Sequence, residues 1–245
     1  MMKRIAFVFC LLLIVACSTN VFAQKVTKPF NGKNLDGWKK VRKEENFLWR
    51  VGMPSLTKDA SREFSFVPLE DADKIADLVN LSGSDWGQNG FYRGGDLATE
   101  QTFGDCTVEI EFMVAKGANS GIYLMGEYEV QVADGWGKTG RLGQGDIGAI
   151  YSAAEPKVNA SKAPGEWQKF VIEFQAPKFN AAGEKTANAK FLKITLNGQV
   201  VQENTEVTKG STGGGVTGGE MAKGPLMLQG NHGPVAFRNI VITEK

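Results

Sequence analysis

Histidine is nearly absent from this chain: among 245 residues there is one, His232. A zinc site built on several imidazoles is therefore excluded, as is any mechanism that passes a proton between two of them. Cysteine is almost as scarce. Of the three, Cys10 and Cys17 lie close to the start, which leaves Cys106 alone in the body and no intrachain disulfide there. Cys106 opens an alternating strand pattern with no basic cluster to activate it, so it reads as a small buried hydrophobe. An excess of positive charge is also missing. Lys+Arg 28 against Asp+Glu 27 leaves +1, which argues against nucleic acid and against electrostatic adhesion to anionic membranes. No apolar run reaches the roughly 20 residues that a membrane-spanning helix needs.

The longest such run, Ile5 to Ala16, follows Lys3 and Arg4 and has the form of a signal-peptide h-region. Two processing readings stand. Residues 1–23 are a signal peptide cut after Val21-Phe22-Ala23, or Ile14-Val15-Ala16-Cys17 is a lipobox, with residues 1–16 removed and Cys17 lipidated. Either predicts export, to the periplasm or the outer-membrane surface of a Gram-negative bacterium, with a lipid on Cys17 as the one membrane attachment. Loss of Lys3 and Arg4 takes the charge from +1 to −1.

What the body has in quantity is glycine, 30 residues, and strand-like alternation. In Thr107–Phe112, Val108, Ile110 and Phe112 share one face. Tyr128–Val132 places Val130 and Val132 on one side and Glu129 and Gln131 on the other. Segments 170–174, 191–196, 225–229 and 237–242 continue the pattern. Asn119–Met125 sets Tyr123 and Met125 opposite Ile122 and Leu124. Asn197-Gly198 between two such runs predicts a hairpin, and Asn31-Gly32 predicts a second. Pro68–Leu81 has apolar residues at helical spacing and predicts one short helix, within an elaborated loop over 53–90. The glycine-dense stretch 209–223 predicts a mobile loop. It lacks the following Lys-Ser or Lys-Thr of a phosphate loop. With no repeat and no linker in view, residues 24–245 read as one all-β sandwich with long loops.

Glu129 and Gln131 project to one side about 7 Å apart. Together with Tyr123, Gln229 and His232 they offer the carboxylate, amide, imidazole and aromatic groups that hold a sugar ring. Retaining glucanases of the sandwich class carry Glu-x-Asp-x-x-Glu on one strand. The comparable run here is Glu129-Val130-Gln131-Val132-Ala133-Asp134, and Gln131 cannot ionise. A two-carboxylate mechanism is thereby disfavoured. Glu109 and Glu111 are a second acidic pair, read as strand exterior.

The chain resembles the 3-keto-disaccharide hydrolase family. The likeness is carried in order by Phe30-Asn31-Gly32-Lys33-Asn34-Leu35-Asp36-Gly37-Trp38, Phe103-Gly104-Asp105, Gly117-Ala118-Asn119-Ser120-Gly121-Ile122-Tyr123-Leu124, Tyr128-Glu129-Val130-Gln131, Gly148-Ala149-Ile150-Tyr151, Pro164-Gly165-Glu166-Trp167, Leu228-Gln229 with His232-Gly233, and Phe237-Arg238-Asn239-Ile240. The resemblance implies a concanavalin-A-like jelly-roll sandwich. It also implies an enzyme that cleaves 3-keto-glycosides by removal of the C2 proton, elimination and hydration. A non-catalytic carbohydrate-binding module is the alternative. The expected roles are Glu129 as base, His232 as acid/base, Gln131, Gln229 and Asn119 as hydroxyl binders, and Tyr123, Tyr151 and Trp136 as walls or stacking surfaces. A divalent metal held by Glu129 or His232 is an optional cofactor, and an oxidoreductase that makes the 3-keto sugar is an expected partner. Trp38, Trp49, Trp167 and Arg238 are expected to be structural. Gly230-Asn231 add one residue between Gln229 and His232 relative to the expected pattern, which predicts a displaced imidazole.

Overall fold

The computed structural model describes residues 24–41, 47–56, 64–67, 76–82 and 94–245. The leader, its cleavage sites and Cys17 lie outside them. In chain order the strands are β1 (Lys25–Thr27), β2 (Trp38–Val41), β3 (Trp49–Leu56), β4 (Phe64–Val67), β5 (Asp77–Asn80), β6 (Asp96–Phe103), β7 (Cys106–Val114) and β8 (Asn119–Leu124). There follow β9 (Tyr128–Ala133), β10 (Gln168–Gln175), β11 (Lys178–Phe179), β12 (Lys185–Ala187), β13 (Ala189–Leu196), β14 (Gln199–Val207), β15 (Gly224–Leu228) and β16 (Val235–Glu244).

The expected all-β jelly-roll sandwich is what these strands build. A larger sheet runs β14-β13-β10-β7-β16-β5-β3-β4, with β1 paired to β16, and a smaller sheet runs β2-β6-β15-β8-β9. Alternation explains the core. Val108, Ile110 and Phe112 of β7 and Phe170, Ile172 and Phe174 of β10 face inward, fully buried, against Ile122 and Leu124 of β8 and Val130 and Val132 of β9. The Phe112 and Phe170 rings stack with centroids 5.0 Å apart, and each buried phenyl contributes about 1.5–3 kcal/mol through area removed from water. Trp38 and Trp49 are buried and donate their indole N–H groups to the carbonyls of Pro29 and Gly95. Cys106 is buried too, and burial pushes its thiol up to about 12, so it is inert as a nucleophile.

Asn197 and Gly198 both adopt positive φ, 52° and 83°, and close the β13–β14 hairpin as expected. The other turn expectation is corrected. Asn31-Gly32 makes no hairpin, since β1 and β2 belong to different sheets. The Asn31 side chain instead accepts from the amides of Lys33 and Asn34, a local turn that competes with strand pairing. The helix expected over 68–81 is also corrected where it is described: residues 77–80 are β5, and residues 68–75 lie outside the described set. β5 sits between β16 and β3 with Leu78 and Val79 buried, and a strand covered on both faces loses the alternation that would identify it. The 53–90 region is accordingly not only loop, since β4, β5 and the end of β3 fall within it. Met125 does not share a face with Tyr123. It lies past the end of β8 at φ 61° and packs in the main core.

On the outer face of the larger sheet, charges alternate across neighbouring strands. Lys169 of β10 lies opposite Glu111 of β7, which lies opposite Arg238 of β16. Arg238 bonds Glu111 at 2.7 Å and lies 3.8 Å over the Trp167 ring, and Lys169 bonds Glu109 at 2.5 Å. The acidic pair Glu109 and Glu111 is thus strand exterior held in ion pairs, as expected. Half-buried Asp77 ends this row. Burial pushes its carboxyl up to about 6, opposed by the Arg238 charge and aided by that of Glu111. The folded state therefore holds this proton more tightly than the unfolded chain. The associated stability is complete below about pH 3.8 and is lost as pH rises through about 6. Asp77→Asn should stabilise the fold by about 1 kcal/mol at pH 7, a figure reduced for solvent screening. It should change little at pH 3.5. Urea denaturation at the two pH values checks this, and equal effects at both would refute it.

Candidate active site

The outer face of the smaller sheet carries the polar set. β8 contributes Asn119, Gly121 and Tyr123, and β9 contributes Glu129 and Gln131, with Tyr123 opposite Glu129 and Gly121 opposite Gln131. Strand period two puts all five on one side. Gln229 and His232 arrive from the turn between β15 and β16. The amide of Gln229 donates to the carbonyl of Gly121, and Ser120 Oγ donates to that of Gln229, which fixes the turn beside β8. Asn119, Tyr123, Glu129, Gln131, Tyr151, Gln229, Asn231 and His232, with Gly213 and Gly214, line one hollow of about 240 Å³. That is small beside the ~300–1,000 Å³ of pockets for drug-sized ligands and suits a single sugar ring.

Glu129, 3% exposed, is held on every side. Its carboxylate accepts from Tyr123 Oη at 2.7 Å, and Tyr123 Oη accepts from Gln229 Nε2 at 3.3 Å. The backbone N–H of Glu129 donates to Thr212 Oγ1 at 2.8 Å, and its carbonyl accepts from the Tyr151 amide at 3.1 Å. Gln131 Nε2 donates to Asn119 Oδ1 at 2.6 Å. His232 is 8% exposed, with Nδ1 2.6 Å from Asn231 Oδ1. The ring lines the hollow, with Gly230 and Asn231 in the turn that leads to it. Gln229 Oε1 is buried with no hydrogen-bond partner, a vacant acceptor that a ligand hydroxyl would satisfy.

Of the expected site residues, Trp136 alone is not brought in. It stands 61% exposed on the turn after β9, outside the lining of the hollow. The glycine-dense segment expected to be mobile is tied down. Thr212 donates to the Glu127 carbonyl at 3.2 Å and Thr217 N donates to the buried Glu127 carboxylate at 2.9 Å. Glu220 accepts from Tyr128 Oη at 2.6 Å and pairs with Lys185 at 2.6 Å. Thr212, Gly213 and Gly214 were not expected at the site, because a glycine-dense run signals a loop but not what it covers, and Asn231 was marked in the sequence only as part of an added residue pair.

Gly121 is the position where the site tolerates no side chain. A Cβ there would overlap the Glu129 carboxylate and stand 2.8 Å from its Cγ. Gly121→Ala should therefore push Glu129 out of line, lowering turnover about 100-fold while the fold survives. Unchanged turnover in a folded variant would show that the Glu129 position is not needed.

A more voluminous hollow, about 690 Å³, opens on the larger sheet beside Glu109, Glu111, Lys169 and Arg238, but those four are committed to ion pairs with one another. Among the described residues no group of three His, Cys, Asp or Glu side chains is placed to hold a metal ion. The smaller hollow offers one carboxylate and one imidazole, short of the three protein ligands of a catalytic zinc site. This donor set does not make a dedicated metal cage, and the steps derived below pass through no metal.

The profile of the family described as 3-keto-alpha-glucoside-1,2-lyase-like domain matches residues 25–243. Among curated proteins none matches. Two solved structures from Parabacteroides distasonis, both named provisionally as glycosyl hydrolases, are similar. One is 27% identical with a TM-score of 0.61, covering 90% of this chain and 84% of that one. The other is 17% identical with a TM-score of 0.54, covering 90% and 94%.

Proposed function

The chain belongs to the 3-keto-alpha-glucoside-1,2-lyase-like domain family, and from that premise and the hollow's geometry we propose that it cleaves 3-keto-glycosides by elimination and hydration. The observation that carries the reading is the set of ionisable groups. One carboxylate and one imidazole face a single sugar-sized hollow, and Asp134, the last acid in the Glu-x-Asp-x-x-Glu spacing, lies outside its lining and accepts from the amides of Gly117 and Trp136. One base and one proton donor suffice for elimination next to a ketone, because the C3 carbonyl acidifies the C2 proton.

Glu129 takes the proton from C2, and the C2–H electron pair forms an enolate through C3. The amide NH₂ groups of Asn119 and Gln131 are the neutral donors for the developing charge on the C3 oxygen. The enolate collapses, a C1–C2 double bond forms, and the bond from C1 to the aglycone oxygen breaks. Protonated His232 gives its proton to that oxygen. Water then adds to C1 and gives its proton to His232, regenerating the enolate, and Glu129 returns a proton to C2. The sum is hydrolysis, with both groups restored. Tyr123 orients Glu129, Gln229 Oε1 accepts a sugar hydroxyl, and the half-exposed ring of Tyr151 provides a face for the sugar's CH groups.

The test is a 3-keto-glucoside with a chromogenic aglycone in heavy water. The expected result is aglycone release with deuterium incorporated at C2, no reaction with the unoxidised glucoside, and the same rate after a chelator. Release without deuterium, together with no slowing for a substrate deuterated at C2, would exclude the elimination route. Binding without release would favour a carbohydrate-binding module. Because the substrate must already be oxidised at C3, an oxidoreductase acting before this protein completes the scheme. Export through the N-terminal leader, to the periplasm or a lipid-anchored surface position, completes the proposal.

A further inference from the structure

The His232 ring is fixed from both sides of its backbone. The Gly230 amide donates to Asp96 Oδ1 at 2.8 Å, the Gly230 carbonyl accepts from Ser82 Oγ at 2.5 Å, and the His232 carbonyl accepts from Asn80 Nδ2 at 2.5 Å. On this frame Nδ1 lies 2.6 Å from Asn231 Oδ1. An amide oxygen only accepts, so the proton between these atoms belongs to the imidazole. A free neutral imidazole favours the proton on Nε2, and a partner at one nitrogen decides the tautomer.

We propose that Asn231 is a positioning residue: its side-chain oxygen keeps a proton on Nδ1 of His232 in both charge states, so that Nε2 is the nitrogen that gives and takes back the proton at the sugar. The inference deepens the proposed function and rests on it for the role of Nε2, though not for the tautomer. In the imidazolium both nitrogens carry protons. When Nε2 delivers its proton to the departing oxygen, the Nδ1–H bond to Asn231 is unchanged, and Nε2 is left with the lone pair that receives the proton of the attacking water. The ring therefore alternates between acid and base without rotating. Among the described residues, the charged and titratable groups around it are Glu129 of β9, Tyr123 of β8 and Tyr151 in the hollow, with Asp96 of β6 beneath Gly230.

His232 is the chain's one histidine, so ¹⁵N-resolved NMR of untagged protein reports this ring alone. Above its titration midpoint, wild type should show a protonated Nδ1 and a bare, pyridine-type Nε2. Asn231→Leu should move the proton toward Nε2 and lower kcat about tenfold, with KM changed less than about twofold. Asn231→Asp should restore the Nδ1–H form and most of kcat, and shift the histidine limb of the pH profile upward, because a carboxylate favours the imidazolium. A wild-type ring protonated on Nε2, as an amide turned the other way would produce, overturns the proposal. So does an unchanged tautomer in Asn231→Leu. The spectra need no substrate, so a wild type with the expected tautomer that turns over no 3-keto-glycoside refutes the proposed function instead.

Discussion

Glu129→Gln should reduce aglycone release by about 1,000-fold or more while leaving the affinity for a 3-keto-glycoside within a few-fold of wild type. The substitution is isosteric, and the new side-chain oxygen can still accept the Tyr123 hydroxyl that now reaches the carboxylate at 2.7 Å. What is lost is basicity at an unchanged position, so the deficit should fall on kcat and not on binding. Deuterium exchange at C2 should stop with it. Tyr123→Phe keeps the base and removes only its orienting bond, so its loss should be smaller, about tenfold. A Glu129→Gln protein retaining a tenth of wild-type turnover would mean that the base is another group. Folding is checked separately, since the sandwich core lies on the other face of β9, where Val130 and Val132 point inward.

Gly230→Ala should be the most damaging single change outside the aromatic core, lowering stability by about 3 kcal/mol or more. A Cβ at this position would overlap the Gly95 carbonyl oxygen and stand 2.5 Å from Trp49 Nε1, and those two atoms are themselves a hydrogen-bonded pair. Backbone and a buried indole cannot move aside as a flexible side chain can. The Gly230 carbonyl is also the acceptor for Ser82 and Asn80, so a shifted turn leaves buried donors unpaired. The melting temperature should fall on the order of 10 °C. The residual folded fraction should bind sugar poorly, because Gln229 and His232 flank the displaced residue. A variant as stable as wild type would mean that this turn is looser than its contacts indicate.

The sandwich was legible because its core strands alternate, and so was the pairing of Glu129 with Gln131, since residues two apart on a strand must share a face. Their meeting with His232 was legible only through family likeness. About a hundred residues separate His232 from Gln131, and no local pattern specifies which loop returns to which strand. β5 was missed for a related reason: Leu78 and Val79 are adjacent and both buried, and adjacent apolar residues fit a helix as well as a covered strand. The glycine run at 209–223 offered composition but no partner. Its anchor, the buried Glu127, looks like any turn acid until the chain is folded.

β9 is the last strand of its sheet, yet its far side is not bare. The carbonyl of Glu129 and both backbone groups of Gln131 are taken by Tyr151, Ala149 and Gly148. A terminal strand with open amides and carbonyls invites a neighbouring molecule to zip on and grow a fibre. Here the strand that carries Glu129 and Gln131 is covered at both residues, so copies crowded together find little template in it.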